Sequence, residues 1–268
     1  MRDALTLVLG LLTGVLSASF GVGGAVLSTP GVRVLGASAL VAVGTTLPSI
    51  LPSAVAGTAR YVKEGLVDWG VVAAVAPVGV AGAVGGSLLS HAVPGNGHWL
   101  MVLTAVLLGI TAVRVVHTGE PRATEADGTQ GPARARPGRR SLVVRSSVGL
   151  GAGLLSGLLG VGGGAILLPG FLEILRLRTK VAVASSLACV GILAIPSTVT
   201  HAFLGDIDWR FALLLAIAVV PGARLGAALA IRAGDRRLRL AVALVLGALA
   251  VVYGVGEVRA ALGSTALG

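Results

Sequence analysis

One apolar stretch broken by glycines occurs twice in this chain, and the two copies lie in register. "GVLSASFGVGGAVLSTPG" (Gly14 to Gly31) falls on "GLLSGLLGVGGGAILLPG" (Gly153 to Gly170). Gly14, Ser17, Gly21, Gly23, Gly24, Pro30 and Gly31 meet Gly153, Ser156, Gly160, Gly162, Gly163, Pro169 and Gly170. After a one-residue shift the match continues: Thr45-Thr46 meets Ser185-Ser186, Asp68-Trp69 meets Asp208-Trp209, and Gly82 and Gly86 meet Gly222 and Gly226. A register kept over this distance predicts two homologous units. They are a first repeat over residues 1–117 and a second over 144–268, joined by a polar linker over 118–143 that is rich in Gly, Pro and Arg.

Composition says which solvent the units meet. Of the 268 residues 55% are hydrophobic and 12% charged, and the mean hydropathy is +0.94. A soluble domain of this length has too little interior to bury that much apolar surface. The chain therefore reads as an all-α polytopic membrane protein. Its net charge of +10 belongs to cytoplasm-facing loops and does not call for nucleic acid. The single cysteine, Cys189, excludes an internal disulfide and reads as a small apolar residue. The first 19 residues imitate a secretory signal, but their pattern recurs in mid-chain, which argues against a removable leader.

Three apolar segments per repeat are long enough to span the hydrocarbon layer. They run over 37–59, 70–92 and 99–116, then 181–203, 211–231 and 238–258. The glycine-broken regions before them, 4–35 and 142–175, are too long for one straight span and too short for two. Two arrangements follow: a kinked single crossing, or a re-entrant pair of half-helices. Charge favours the second. With re-entrant hairpins the second half is inverted, and 15 of the 21 basic residues collect on one side. Only Arg2, Arg33, Arg210 and Arg259 then stand opposite, a normal positive-inside bias. A single crossing spreads the basic residues almost evenly. The expected fold is thus two inverted repeats, each a broken helix pair plus three transmembrane helices.

Non-helical backbone is tolerated at membrane depth only where protein or a water-filled cavity surrounds it. The broken tips, Gly21, Gly23 and Gly24 in one copy and Gly160, Gly162, Gly163 and Gly164 in the other, are therefore candidates to line a path. The second limb of each pair starts there, and its amino end offers free N–H groups and a positive dipole end. The rival reading is that these glycines only allow close helix packing. Thr45, Thr46, Ser185 and Ser186 sit inside proline-bearing spans. They suit either contact with an oxyanion or ordinary interhelical bonds. Arg224, deep in its span, either attracts an anion or snorkels outward; Arg114, near an end, fits snorkelling. Asp68 and Asp208 read as helix caps, and the Gly82/Gly86 and Gly222/Gly226 pairs as helix contacts.

The eleven acidic residues all fall at or near predicted ends, so no mid-membrane carboxylate relay is expected. No P-loop for ATP is present, His91, His98, His117 and His201 lack metal-ligand spacing, and no nucleophile, base and orienting group converge. Neither an enzyme nor a cofactor or metal site is expected. The twin glycine motifs, each followed by a hydroxyl-bearing span and then "DW", resemble the sulfite exporter TauE/SafE family of permeases. The first copy departs at Ala25, where the second has Gly164, and carries the polar Ser19 and Ser28. The resemblance implies a multi-pass transporter of the plasma membrane for sulfite, sulfonates or related anions, with export preferred. Its partners would be a small anionic substrate and the lipid bilayer, not nucleic acid, with a homo-oligomer left open. An anion channel and a non-transporting assembly or signalling subunit are the alternatives.

Overall fold

The computed structural model describes residues 2–90, 98–117, 139–160 and 162–265. The linker expected over 118–143 lies outside them as far as residue 138. The chain forms α1 (Arg2–Phe20), α2 (Ala25–Val34), α3 (Ala39–Lys63), α4 (Trp69–Ser90) and α5 (His98–His117). It continues as α6 (Arg139–Leu159), α7 (Gly164–Pro169) with a π-helical turn (Gly170–Ile174), α8 (Thr179–Leu204), α9 (Trp209–Arg232) and α10 (Asp235–Thr265). No strand occurs among the described residues. Six helices are long and apolar enough to cross a membrane, and exposed Ile217, Leu244 and Phe203 on their outer faces suit lipid surroundings. The chain is an all-helical, multi-pass membrane protein. Pro48, Pro52, Pro77, Pro196 and Pro221 lie inside these helices, which membrane helices tolerate better than soluble ones.

The limbs of each broken pair are unequal. In the first, 19 residues precede the break and 10 follow it. The glycines sit late in the stretch, so α1 is nearly a full span and is itself among the six, whereas α6 is not. The short limb folds back along the long one. Gly24 packs against Thr13 and Gly31 against Leu9, and in the second pair Gly163 packs against Ala152 and Gly170 against Val148.

Small residues set the main helix contacts. α1 lies parallel to α9, with Gly10 on Ala218, Gly14 on Val219, and Gly222 and Gly226 on the backbone of Leu11 and Val15. α6 lies parallel to α4 in the same manner, with Gly149 on Val75, Gly153 on Gly79, and Gly82 and Gly86 on Leu150 and Leu154. A methyl added at most of these glycines would overlap a backbone atom, so the backbones approach as closely as glycine permits. α4 also packs on α8, and α9 on α3. The fourth helix of each half therefore docks within the other half. Between them α3 and α8 cross at the centre, where Leu47, Ile50, Leu187, Val190 and Leu193 are buried.

Candidate functional site

The breaks are made by backbone geometry that L-residues avoid. Gly21 takes φ +65° and Gly160 φ +64°. Their N–H groups close the last turns of α1 and α6 on the Ser17 and Ser156 carbonyls at 2.9 and 3.0 Å, and the chain then leaves the helix. The return limbs start from Gly24 and Gly163, neither of which supplies a side-chain cap. In their first turns the N–H groups of Leu27 and Ile166 bond the Gly24 and Gly163 carbonyls at 3.0 and 3.1 Å, and no side chain of the capping residue meets the N–H groups before them.

The two breaks touch. A Cβ built on Gly164 would overlap the Val22 carbonyl, and one built on Gly162 would lie 3.8 Å from the Gly23 Cα. Each break is seated on the hydroxyl-bearing helix of the other half. Gly21 lies on the Val183 backbone of α8, where Ser186 Oγ donates to the Gly21 carbonyl at 2.6 Å. Gly160 lies on Val43 of α3, where Thr46 Oγ1 donates to the Val43 carbonyl at 3.0 Å and stands 3.1 Å from Thr29 Oγ1.

The four hydroxyls singled out from sequence divide into two kinds. Thr46 and Ser186 stand at the breaks. Thr45 and Ser185 serve the turns instead: Thr45 Oγ1 accepts the Asp208 N–H and Ser185 Oγ the Asp68 N–H, each at 2.9 Å. Asp68 and Asp208 in turn cap their helices, accepting from the N–H of Gly70 and Val71 and of Arg210 and Phe211. Arg224 is not at the breaks; it is exposed on α9 beside exposed Leu225. Arg114 is exposed too, and pairs with Glu173 on the π-helical turn at 3.0 Å.

Sequence reasoning missed two hydroxyls. Ser17 and Ser156 lie one turn before the breaks, at 1% and 0% exposure, and their Oγ atoms have no hydrogen-bond partner among the described residues. Their Cβ atoms lie 3.5 and 3.3 Å from a Cβ built on Gly24 and Gly163. The signal was present as a serine repeated in both copies at the end of an apolar helix. A buried hydroxyl left without a partner costs about 1–3 kcal/mol, which a guest able to accept its hydrogen would recover. The cavity at the first break, lined by Leu16, Phe20, Gly23 and Leu246 among others, has about 10 Å³, room for about one water.

Asp206 and His201 lie at the end of α8, as expected, and are 8% and 0% exposed, because the turn between α8 and α9 folds inward onto Gly44 of α3. His91 lies outside the described residues.

The sulfite exporter TauE/SafE family matches residues 6–253 of the chain. Similar proteins include the probable membrane transporter protein YunE of Bacillus subtilis (strain 168), 26% identical over 252 residues, covering 85% of this chain and 89% of that protein. A probable membrane transporter protein of Xylella fastidiosa (strain 9a5c) is 28% identical over 225 residues, 83% of each chain. No solved structure matches. An all-helical chain with six candidate spans, matched from near one end to the other, is a membrane transporter protein that belongs to the sulfite exporter TauE/SafE family.

Proposed function

We propose that this permease moves small sulfur-containing anions, such as sulfite or organosulfonates, by alternating access, with the anion held between the two glycine breaks. The observation that carries the reading is the contact of the breaks beside the buried, unpartnered hydroxyls of Ser17 and Ser156. Backbone N–H groups of the return limbs and these hydroxyls supply donors without a fixed cation, so an anion binds strongly enough to enter and weakly enough to leave. Gly21, Gly23, Gly24, Gly160, Gly162, Gly163 and Gly164 let the ligand approach the backbone, while Ser186 ties the first break to α8 and Thr46 meets Thr29 of the first return limb.

The halves act as inverted repeats whose hairpins enter and leave by the same face. The return of α2 along α1 and of α7 along α6 supports this, as does the parallel pairing of α1 with α9 and of α6 with α4. Since α8 and α9 run antiparallel across a short turn, these pairings orient α1 and α6 oppositely. Such pairs of broken helices meeting at a repeat interface are a transporter arrangement. Export is the favoured direction, since an inside-negative potential helps expel a monoanion by about 2.3 kcal/mol per 100 mV.

The test is uptake into proteoliposomes of sulfite, sulfate, thiosulfate and methanesulfonate, with chloride as control. A saturable flux of one or more sulfur anions with countertransport is expected. Unsaturable chloride conduction would assign a channel, and no flux of any anion would remove the transport reading.

A further inference from the structure

The turn joining α8 to α9 carries a buried ionisable pair that the anion site does not use. His201 Nδ1 lies 2.7 Å from Asp206 Oδ2, and His201 Nε2 lies 3.2 Å from the Gly157 carbonyl. Gly157 is in the last turn of α6, just before the second break, so the pair links the turn to the tip of that hairpin.

The geometry fixes a proton count. A carbonyl oxygen only accepts, so Nε2 must carry a hydrogen. The 2.7 Å contact needs a second hydrogen between Nδ1 and Oδ2, held on either atom. The arrangement therefore contains one proton more than a neutral imidazole beside a carboxylate. Removing it, to water on the side of Asp206, whose side chain is 10% exposed while that of His201 is fully buried, leaves one hydrogen for two bonds. One of the two must break.

The other half does the same structural work without such a proton. Tyr61 and Leu66 occupy the positions matched to His201 and Asp206, and the backbone turn is alike: the N–H of Leu66 meets the Tyr61 carbonyl and that of Asp206 the His201 carbonyl, each at 3.1 Å. Tyr61 Oη donates at 2.6 Å to the carbonyl of Ala18, the residue matched to Gly157. A hydroxyl thus suffices to satisfy a helix-end carbonyl there. A buried ionisable pair costs more desolvation than a tyrosine and a leucine, and ionisable groups within membrane spans mark ion or proton sites.

We propose that His201 and Asp206 form a proton-binding site that ties the α8–α9 turn to the second hairpin, and that release of its proton frees the hairpin during transport. The role in transport rests on the function proposed above; the proton site does not. Among the described residues, the other titratable groups on the elements around the pair are few. Asp208 is occupied as a helix cap, Arg210 is paired with Asp3 of α1 at 2.9 Å, and Arg145 lies three turns earlier on α6. The α3 turn at Gly44 and the α4 turn at Ser87, which packs on Gly157, carry none.

The test compares the full chain in nanodiscs with the double variant His201→Tyr/Asp206→Leu, which copies the first half, and with Asp206→Asn, which keeps the side-chain size. Hydrogen exchange of residues 157–164 is followed from pH 5 to 9, each variant at the same pH as the wild type. Protection in the wild type should fall with rising pH by about tenfold or more beyond the intrinsic change, as expected for a lost charge-assisted bond. Both variants should stay flat. Methanesulfonate, whose charge is constant over this range, should show a flux that rises with pH in the wild type alone. A wild-type exchange profile that is flat, or one shared by Asp206→Asn, overturns the proton site whatever the flux. A pH-dependent exchange profile with no flux of any anion keeps the proton site and removes the transport function.

Discussion

The two halves of the molecule present the same backbone acceptors but meet them with different side-chain donors. The Ala18 carbonyl receives a tyrosine and that of Gly157 a histidine. The Val26 carbonyl receives Tyr253 at 3.1 Å, and its counterpart Ala165 receives Thr111 at 2.9 Å. At the turns, Thr45 and Ser185 trade places across the halves at equal distance. The lesson is that the fold requires a backbone group to be met at each of these places and is indifferent to which side chain meets it. A donor with additional chemistry, as at His201, then stands out against its plain counterpart.

The comparison can be broken most directly at the breaks themselves. Gly21 meets a backbone carbonyl, that of Val183, at closest approach, whereas the nearest atom to Gly160 is a Val43 side-chain methyl, with the Val43 carbonyl at 3.1 Å. Gly21→Ala should therefore cost about 2–5 kcal/mol, positive-φ strain plus overpacking against backbone, and Gly160→Ala less, at least the φ strain of about 1–2 kcal/mol. Thermal melting in detergent would show the difference; equal shifts would mean that both sites relax alike.

Next in size are the unpartnered serines. Ser17→Ala and Ser156→Ala should each weaken apparent anion affinity about tenfold, the worth of a hydrogen bond to a charged group, with melting unchanged or raised. Equal losses would mean that both halves grip the anion, and a loss at one serine alone would assign the grip to that half. Tyr61→Phe leaves the Ala18 carbonyl unmet and should cost about 1–3 kcal/mol of stability, read by melting, with no new pH dependence. Smallest are Thr45→Val and Ser185→Ala, about 1 kcal/mol each. Unequal values in that last pair would show that the two turns are not equivalent.

Much of this was legible in the sequence because hydropathy and helix breakers act locally. The helix positions, the Asp68 and Asp208 caps and the sites of both breaks follow from runs of apolar residues and from glycines no helix would choose. What was not legible depends on partners distant in the chain. That Thr45 serves Asp208, and not a ligand, needs α3 to pack on α9. That Arg224 points away from the breaks depends on the face α9 gives to α1, where Gly222 and Gly226 take the contact. The sequence places Asp206 and His201 near a helix end but does not say which way that end faces. The turn is folded inward onto Gly44, where a Cβ would come within 2.6 Å of the Asp206 carbonyl oxygen, and nothing local announces it.

The central claim is that an anion passes between the two breaks and is held by donors there. Its most direct measurement is concentration-dependent sulfite and methanesulfonate uptake into proteoliposomes by the wild type and by the double variant Ser17→Ala/Ser156→Ala, which removes two hydroxyls that bond no other described residue. Saturable wild-type uptake, with an apparent affinity weakened tenfold or more in a variant of unchanged melting temperature, is the result the account predicts. Identical saturation curves for the two proteins would contradict it.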